Sequence, residues 1–191
     1  KVDQTELVLV TQFGSIESTQ TEAGLHFKTP FVQQVTRLDK RLLRVDVQPS
    51  LFPDKESRIL NIDAYVRYRI KADDAGIRDF RESLITETSA QGPISQIVVA
   101  ALREEVGGRQ RESIIGGQII LNANGTRTVK PLVGSDGVSP IREELTRLVT
   151  QAVQKRVDEQ GFGIEIVDVR IKRADFPNTI VESVYDLMRS E

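Results

Sequence analysis

Hydrophobic and polar residues alternate most strictly over residues 60–70. Leu60, Ile62, Ala64, Val66, Tyr68 and Ile70 fall on one side, and Asn61, Asp63, Tyr65, Arg67 and Arg69 on the other. A period of two sustained over this length predicts a strand with one face packed and the other turned to water or a partner. Residues 6–13 (ELVLVTQF) are rich in β-formers and stop at Gly14, and residues 41–47 (RLLRVDV) alternate in their second half. The chain up to residue 70 therefore reads as mostly β structure.

Helical spacing follows. Asp73 and Asp74 are cap residues for a short helix that carries Ile77, Phe80 and Leu84 on one face. Pro93 suits a first helical turn, ahead of an apolar stripe of Ile94, Ile97, Val98, Ala101 and Leu102 that closes at Gly107-Gly108. Ser139-Pro140 opens what is expected to be the longest helix, with Ile141, Leu145, Leu148, Val149, Ala152 and Val153 inward and Gly161 just past its end. Residues 163–173 (GIEIVDVRIKR) return to a strand pattern, and a change of apolar parity between Ile166 and Val167 suggests a bulge. Pro177 then starts a last amphipathic helix with Ile180, Val181, Val184, Leu187 and Met188 on a shared face.

Between the two long helices, residues 113–139 differ in character. Only Arg127, Lys130 and Asp136 are charged there, and five of the chain's 13 glycines fall in the segment. Asn124-Gly125, set between IIL and TRTV, is a type I′ hairpin signal. The segment reads as an inserted β-hairpin arm, either solvated or in contact with a neighbouring subunit.

Composition narrows function more than fold. A chain of 191 residues fits one large domain or two small ones and can bury a core. Lys+Arg 26 against Asp+Glu 28 leaves a net charge of −2, so no global field draws the chain to nucleic acid. The absence of cysteine excludes a disulfide scaffold, a thiolate metal site and a cysteine nucleophile, and the single histidine, His26, excludes a His-pair metal site. The longest apolar run is the six residues from Ile97 to Leu102, against ~20 for a membrane-spanning helix. The sequence starts at Lys1 rather than Met and stops at Glu191 within a helical pattern, so it is expected to be a piece of a longer protein.

Catalytic patterns are sparse. Glu104-Glu105 and Glu143-Glu144 are adjacent on helical stretches, where neighbours diverge, and read as solvated positions rather than an acid/base pair. Gly107, Gly108, Gly116 and Gly117 lack the ending of a phosphate-binding loop, and neither SxxK nor GxSxG occurs. A hydrolase built on His26 would need a nucleophile and an orienting acid converging on it. A nucleic-acid module would need stacking aromatics on a basic surface, and aromatics are 5%.

Two stretches carry more. Arg37, Lys40, Arg41 and Arg44 flank Leu38, Leu42 and Leu43 with only Asp39 opposed, which fits a solvated strand face or a contact with lipid phosphates. Residues 23–31 (AGLHFKTPF) set Leu25, Phe27 and Phe31 between a glycine and a proline. That pattern fits a core-plugging loop with a satisfied His26, or an exposed interfacial loop.

These residues carry a resemblance. EAGLHFKTPF (residues 22–31), followed by VTRLDKRLLRVDV (residues 35–47), resembles the opening of the stomatin/prohibitin/flotillin domain, the SPFH or band-7 family. The matching strand is NIDAYVRYRI, residues 61–70. The distal block GIEIVDVRIKRADFPNTIVESVYDLMRSE (residues 163–191) resembles the bacterial HflC branch of that family, and the likeness is weak across residues 113–139.

The resemblance implies an α+β fold, with a membrane-proximal β-rich SPFH1-like subdomain over residues 1–70. An SPFH2-like α/β subdomain over residues 71–191 would bear the hairpin insertion at 113–139, with a transmembrane helix before the domain and a coiled coil after it. It implies a non-enzymatic, cofactor-free scaffold, single-pass in a bacterial inner membrane and on its periplasmic side. Such a subunit forms homo- or hetero-oligomeric rings or cages with an HflK-like paralogue and regulates an FtsH-type AAA+ membrane protease. The alternative within the family is a membrane-microdomain organiser without protease control.

By the same resemblance Leu25, Phe27, Lys28 and Phe31 are expected at the membrane interface, in contact with lipids. A ring needs charge-balanced lateral surfaces. The helix after Pro140 offers Arg142, Arg147, Lys155 and Arg156 against Glu143, Glu144, Asp158 and Glu159, which suits packing between subunits.

Overall fold

The computed structural model describes residues 1–29, 31–121, 127–133, 137 and 140–175. In chain order the elements are β1 (Glu6–Gln12), β2 (Ser15–Gln20), β3 (Gln33–Asp39), β4 (Leu43–Pro53), β5 (Ile59–Ile70), α1 (Asp74–Ser83), α2 (Glu87–Gly107), α3 (Arg111–Ile115), β6 (Gly117–Leu121), β7 (Arg127–Pro131), α4 (Ile141–Glu159) and β8 (Ile164–Asp175). The architecture is α+β: antiparallel β2-β1-β3, a three-stranded β4-β5-β8 sheet, and the antiparallel pair β6-β7. The helix expected after Pro177 and the turn at Asn124-Gly125 lie outside the described residues.

Two compact units divide the contacts. The first comprises Lys1–Val45, Val66–Ile97 and Val153–Val167; the second comprises Asp46–Tyr65, Val98–Ala152 and the described residues from Asp168.

In the first unit β1 is the central strand, and Leu7, Val8, Leu9 and Val10 are all buried. Burial on both faces explains why ELVLVTQ reads as a continuous apolar run rather than an alternation. Its strand stops at Gln12, because Phe13 and Gly14 both adopt left-handed backbone, as a two-residue type I′ hairpin turn requires. α1 buries Ile77, Phe80 and Leu84, the stripe its sequence announced. Asp73 takes the cap position in extended backbone but makes no side-chain cap bond. Asp74 instead pairs with Arg78 at 2.9 Å and accepts the Thr19 hydroxyl.

β5 alternates as predicted, with Leu60, Ile62, Ala64, Val66, Tyr68 and Ile70 all at 2% exposure or less. β4 begins two residues later than the sequence pattern and runs on through Pro49 to Pro53. An edge position tolerates both prolines, since no ladder bond is asked of them. Arg41 is left in the turn, its guanidinium on Asp39 at 2.8 Å.

Two helix expectations need correction. α2 starts at Glu87, so Pro93 lies inside the helix and not in its first turn. The reason is a cap upstream: the Ser89 N–H donates to Thr86 Oγ1 at 3.2 Å and the Ala90 N–H to the Thr86 carbonyl at 3.0 Å. α2, with 21 residues, is also longer than α4, with 19. Within the second unit, the Arg103 guanidinium stands 5.9 Å from the ring centre of the buried Phe52.

α4 ends in a Schellman arrangement, in which the Phe162 N–H donates to the Val157 carbonyl and the Gly161 N–H to the Asp158 carbonyl. Three of its polar residues, Arg142, Thr150 and Gln154, then serve the free edge of β8. In the first unit Gln154 Oε1 accepts the Ile166 N–H at 2.6 Å while its Nε2 donates to the Ile164 carbonyl at 3.5 Å. In the second unit Thr150 Oγ1 accepts the Val169 N–H at 3.0 Å and Arg142 Nη2 donates to the Ile171 carbonyl at 2.8 Å. Residues 164 and 166 share one parity and 169 and 171 the other, and burial changes phase at the same place. The apolar parity that changes near Val167 in the sequence thus changes in the structure as well.

Gly163 has φ +63 and passes close to α1: a Cβ there would lie 2.0 Å from the Gly76 carbonyl oxygen and 2.7 Å from the Phe80 nitrogen. Gly161 has the same φ with nothing within 4 Å of its would-be Cβ. Gly161→Ala is therefore expected to cost about 1–2 kcal/mol, the left-handed penalty alone, and Gly163→Ala several times as much. Urea denaturation of both variants measures this, and equal losses would refute the close approach.

Acid stability is set in part by two carboxylates of the first unit. Glu165 is held below the ordinary glutamate value chiefly by the hydrogen bond from Arg69 at 2.8 Å, and Asp158 below the ordinary aspartate value by the Gln154 amide and then by Lys71. Both are depressed on folding, so their contribution is present above the unfolded carboxylate range, roughly pH 4. It is lost as pH falls through the folded values. Arg69→Gln is expected to return Glu165 to ordinary titration and flatten stability below pH 4, read by carbon-13 NMR titration of the carboxyl and by acid unfolding.

Candidate functional site

Loop 21–32 joins β2 to β3 and is pinned near both ends. Val2 and Gly24 exchange backbone hydrogen bonds of 2.8 and 3.1 Å. Further on, the Thr29 N–H donates to Gln33 Oε1 at 2.7 Å and the Gln33 N–H to the Thr29 carbonyl at 3.2 Å. Between these ties Leu25 is 80% exposed and Phe27 wholly so; Phe31, next to the second tie, is also wholly exposed. The loop does not plug the core.

Strand register decides which of these residues meet. Gln12 pairs with Ser15 on one side and with Gln33 on the other, so the β1–β2 turn and the start of β3 lie at the same end of the sheet. Phe13, 88% exposed, is thereby set at the same sheet end as Phe31. Lys28 reaches this end too, its Nζ donating to the Gln33 carbonyl at 3.4 Å. Leu25 follows Gly24, which is bridged to Val2, and lies toward the Glu6 end of β1. Phe13 was not among the residues singled out in the sequence; the glycine that follows it, where the β-rich run of residues 6–13 stops, was its available signal.

Both tip phenylalanines have left-handed backbone, Phe13 at φ 49° and Phe31 at φ 71°. A bulky side chain in that region is strained, and strain of this kind concentrates at functional sites. Neither ring recovers the cost by burial within the chain.

His26 Nε2 lies 3.2 Å from the Glu22 carbonyl oxygen. Among the described residues no carboxylate or hydroxyl stands within hydrogen-bond reach of its ring, so the nucleophile and acid that a His26 hydrolase requires are not assembled there. The basic run is solvated: Arg37, Lys40, Arg41 and Arg44 are all exposed, and Asp39 lies below its ordinary value chiefly through its hydrogen bond with Arg41.

On α4, Glu143, Arg147 and Lys155 are exposed and Glu144 and Arg156 half-buried. Arg142 is half-buried, bonded to the Ile171 carbonyl, and desolvation lowers its pKa. Its charge is thus committed within the second unit. No helix among the described residues is long and apolar enough to cross a membrane.

Comparison with known proteins agrees over the whole chain. The sequence model described as "SPFH domain / Band 7 family" matches residues 1–191. "Protein HflC" of Treponema pallidum is 28% identical, covering 100% of this chain and 60% of that protein. "Modulator of FtsH protease HflC" of Escherichia coli K12 is 30% identical over 89% of this chain and 54% of its own length. "Protein HflC" of Haemophilus influenzae is 31% identical, with 89% and 50% covered. The chain thus spans about half the length of these relatives.

If the tip rings do nothing for folding, their removal relieves strain. Phe13→Gly and Phe31→Gly are each expected to leave stability unchanged or raise it by up to about 1 kcal/mol, whereas Phe52→Ala in the core costs about 3–5 kcal/mol. Urea midpoints of the three variants decide the matter; a loss above 1 kcal/mol at either tip position would show that the ring packs.

Proposed function

The chain belongs to the SPFH domain / Band 7 family, and from that premise we propose that it is the SPFH domain of a non-enzymatic membrane scaffold subunit that modulates an FtsH-type AAA+ protease. In this reading the subunit assembles with an HflK-like paralogue into a ring or cage on the periplasmic side of a bacterial inner membrane. Residues 1–70 form the membrane-proximal part and residues 71–191 the SPFH2-like part. The protease assignment is supported by the name of the Escherichia coli relative, a modulator of FtsH protease.

The observation that carries the membrane part is the exposed aromatic tip. Burying one phenylalanine is worth about 1.5–3 kcal/mol, so Phe13, Phe27 and Phe31 together supply a weak, reversible hold on the interface, with Lys28 beside the headgroups. Many weak holds in one assembly give firm attachment through effective concentration. The exposed charges Glu143, Arg147 and Lys155 then face lateral contacts between subunits, with the half-buried Glu144 and Arg156 beside them on the same helix; Arg142, already bonded inside its own chain, contributes position more than charge.

Two measurements test the reading. Phe13→Ser with Phe31→Ser is expected to reduce adsorption to liposomes in flotation at least tenfold while the far-ultraviolet spectrum is unchanged; full adsorption by the double variant would remove the tip from the mechanism. Gentle detergent extraction of the protein from its native membrane should yield closed rings or cages, seen by electron microscopy, with an AAA+ protease in the same fraction. Rings without protease would favour a membrane organiser with no protease control, and dispersed subunits would overturn the scaffold reading.

A further inference from the structure

An open cavity of about 640 Å³ lies over one face of the β2-β1-β3 sheet, inside the first unit. Its size falls in the range of small-molecule sites. The floor is apolar: the nearly buried Val8 and Val10 of β1 and the more exposed Val35 of β3. These side chains share a face because Val8 stands opposite Gln20 and Arg37, and Val10 opposite Ser18 and Val35. Phe27 also lines the cavity, together with the cations Lys28 and Arg37.

Neither cation is firmly engaged. The Lys28 Nζ contact to the Gln33 carbonyl is 3.4 Å long, and Arg37 meets Glu6 at 3.5 Å with the guanidinium largely exposed. Exposed pairs of this kind are worth little and give way to a better anion. The carboxylate in the lining, Glu17, accepts the Gln33 side-chain amide, and Lys1 adds a further positive charge. The cavity thus combines an apolar floor with a net cationic rim, and Phe27 belongs both to it and to the exposed loop.

An apolar floor beside a cationic rim complements an amphiphile with an anionic head. We propose that this cavity takes one anionic phospholipid from the bilayer surface, its phosphate met by Lys28 and Arg37 and its glycerol and first acyl carbons laid on Val8, Val10 and Val35 beside Phe27. The inference rests on the membrane-contact reading above and adds a headgroup preference to it. Charge-assisted contacts from two cations supply the selectivity, while the valines supply a surface that a free phosphate ion does not use.

The test titrates the intact chain with dihexanoylphosphatidylglycerol below its micelle concentration and follows the methyl signals of Val8, Val10 and Val35 by NMR. Saturable shifts are expected, with dihexanoylphosphatidylcholine binding at least tenfold more weakly and inorganic phosphate leaving the valine methyls unmoved. Lys28→Gln with Arg37→Gln should weaken phosphatidylglycerol binding at least tenfold, and Ser18→Trp, which fills the cavity without changing charge, should abolish it. Equal binding of the two lipids, equal binding of inorganic phosphate, or full binding by the Ser18→Trp variant would overturn the proposal. Liposome adsorption that depends on Phe13 and Phe31 without any short-chain lipid binding would sink this inference alone; cavity binding with adsorption indifferent to those rings would sink the membrane-tip reading instead.

Discussion

The edge of β8 is the constraint on which the distal half of the chain depends. An unpaired strand edge presents backbone donors and acceptors that invite another chain, and an N–H left unpaired in a half-buried place costs about 1–3 kcal/mol. Gln154 meets this with one amide that both accepts from and donates to the strand, in the manner of a neighbouring peptide group. Thr150 and Arg142 do the same further along. The change of phase in β8 falls between Ile166, which Gln154 serves, and Val169, which Thr150 serves.

The close approach of Gly163 to Gly76 belongs to the same arrangement. The Schellman turn at Gly161 delivers the chain from α4 to β8, and the next backbone turn passes against α1 where no Cβ fits. The Lys71 N–H closes the joint by donating to the Gly163 carbonyl at 3.0 Å. Two glycines of unremarkable sequence context thus fix where a helix ends, where a strand starts and how near a second helix comes. Lys71 and Asp158, paired at 3.0 Å, add an exposed contact of small energetic weight beside this joint.

How much was legible in the sequence follows from which interactions are local. β5 and α1 could be read because period and burial agree residue by residue, and the phase change in β8 because a buried strand must declare it. β2 could not: SIESTQ is an edge strand, exposed or half-exposed throughout, and carries no apolar alternation. The start of α2 was hidden because a proline in a first turn and a proline in a helix interior look alike until the cap at Thr86 is seen. At the candidate site, Phe27 and Phe31 stood out by local density between Gly24 and Pro30. Phe13 needed the pairing of Gln12 with Gln33, and the commitment of Arg142 needed a partner 29 residues away; neither is a property of a sequence window.

Pro93 divides α2 mechanically. Without an N–H it leaves the Ser89 carbonyl with no helical donor, so residues 87–92 are joined to the rest of the helix by fewer bonds than its length suggests. That first stretch is anchored instead by the Thr86 cap and by Glu87, whose carboxylate accepts the Asp39 N–H at 2.6 Å. Burial first, and the Glu87 charge second, push the Tyr68 phenol up to about 12. A local opening of residues 87–92 would therefore be sensed at the end of β3 and at a core tyrosine of β5 while residues 94–107 stay wound. In the language of hydrogen exchange the proline is a seam, the place along α2 where a local opening has one backbone bond fewer to break.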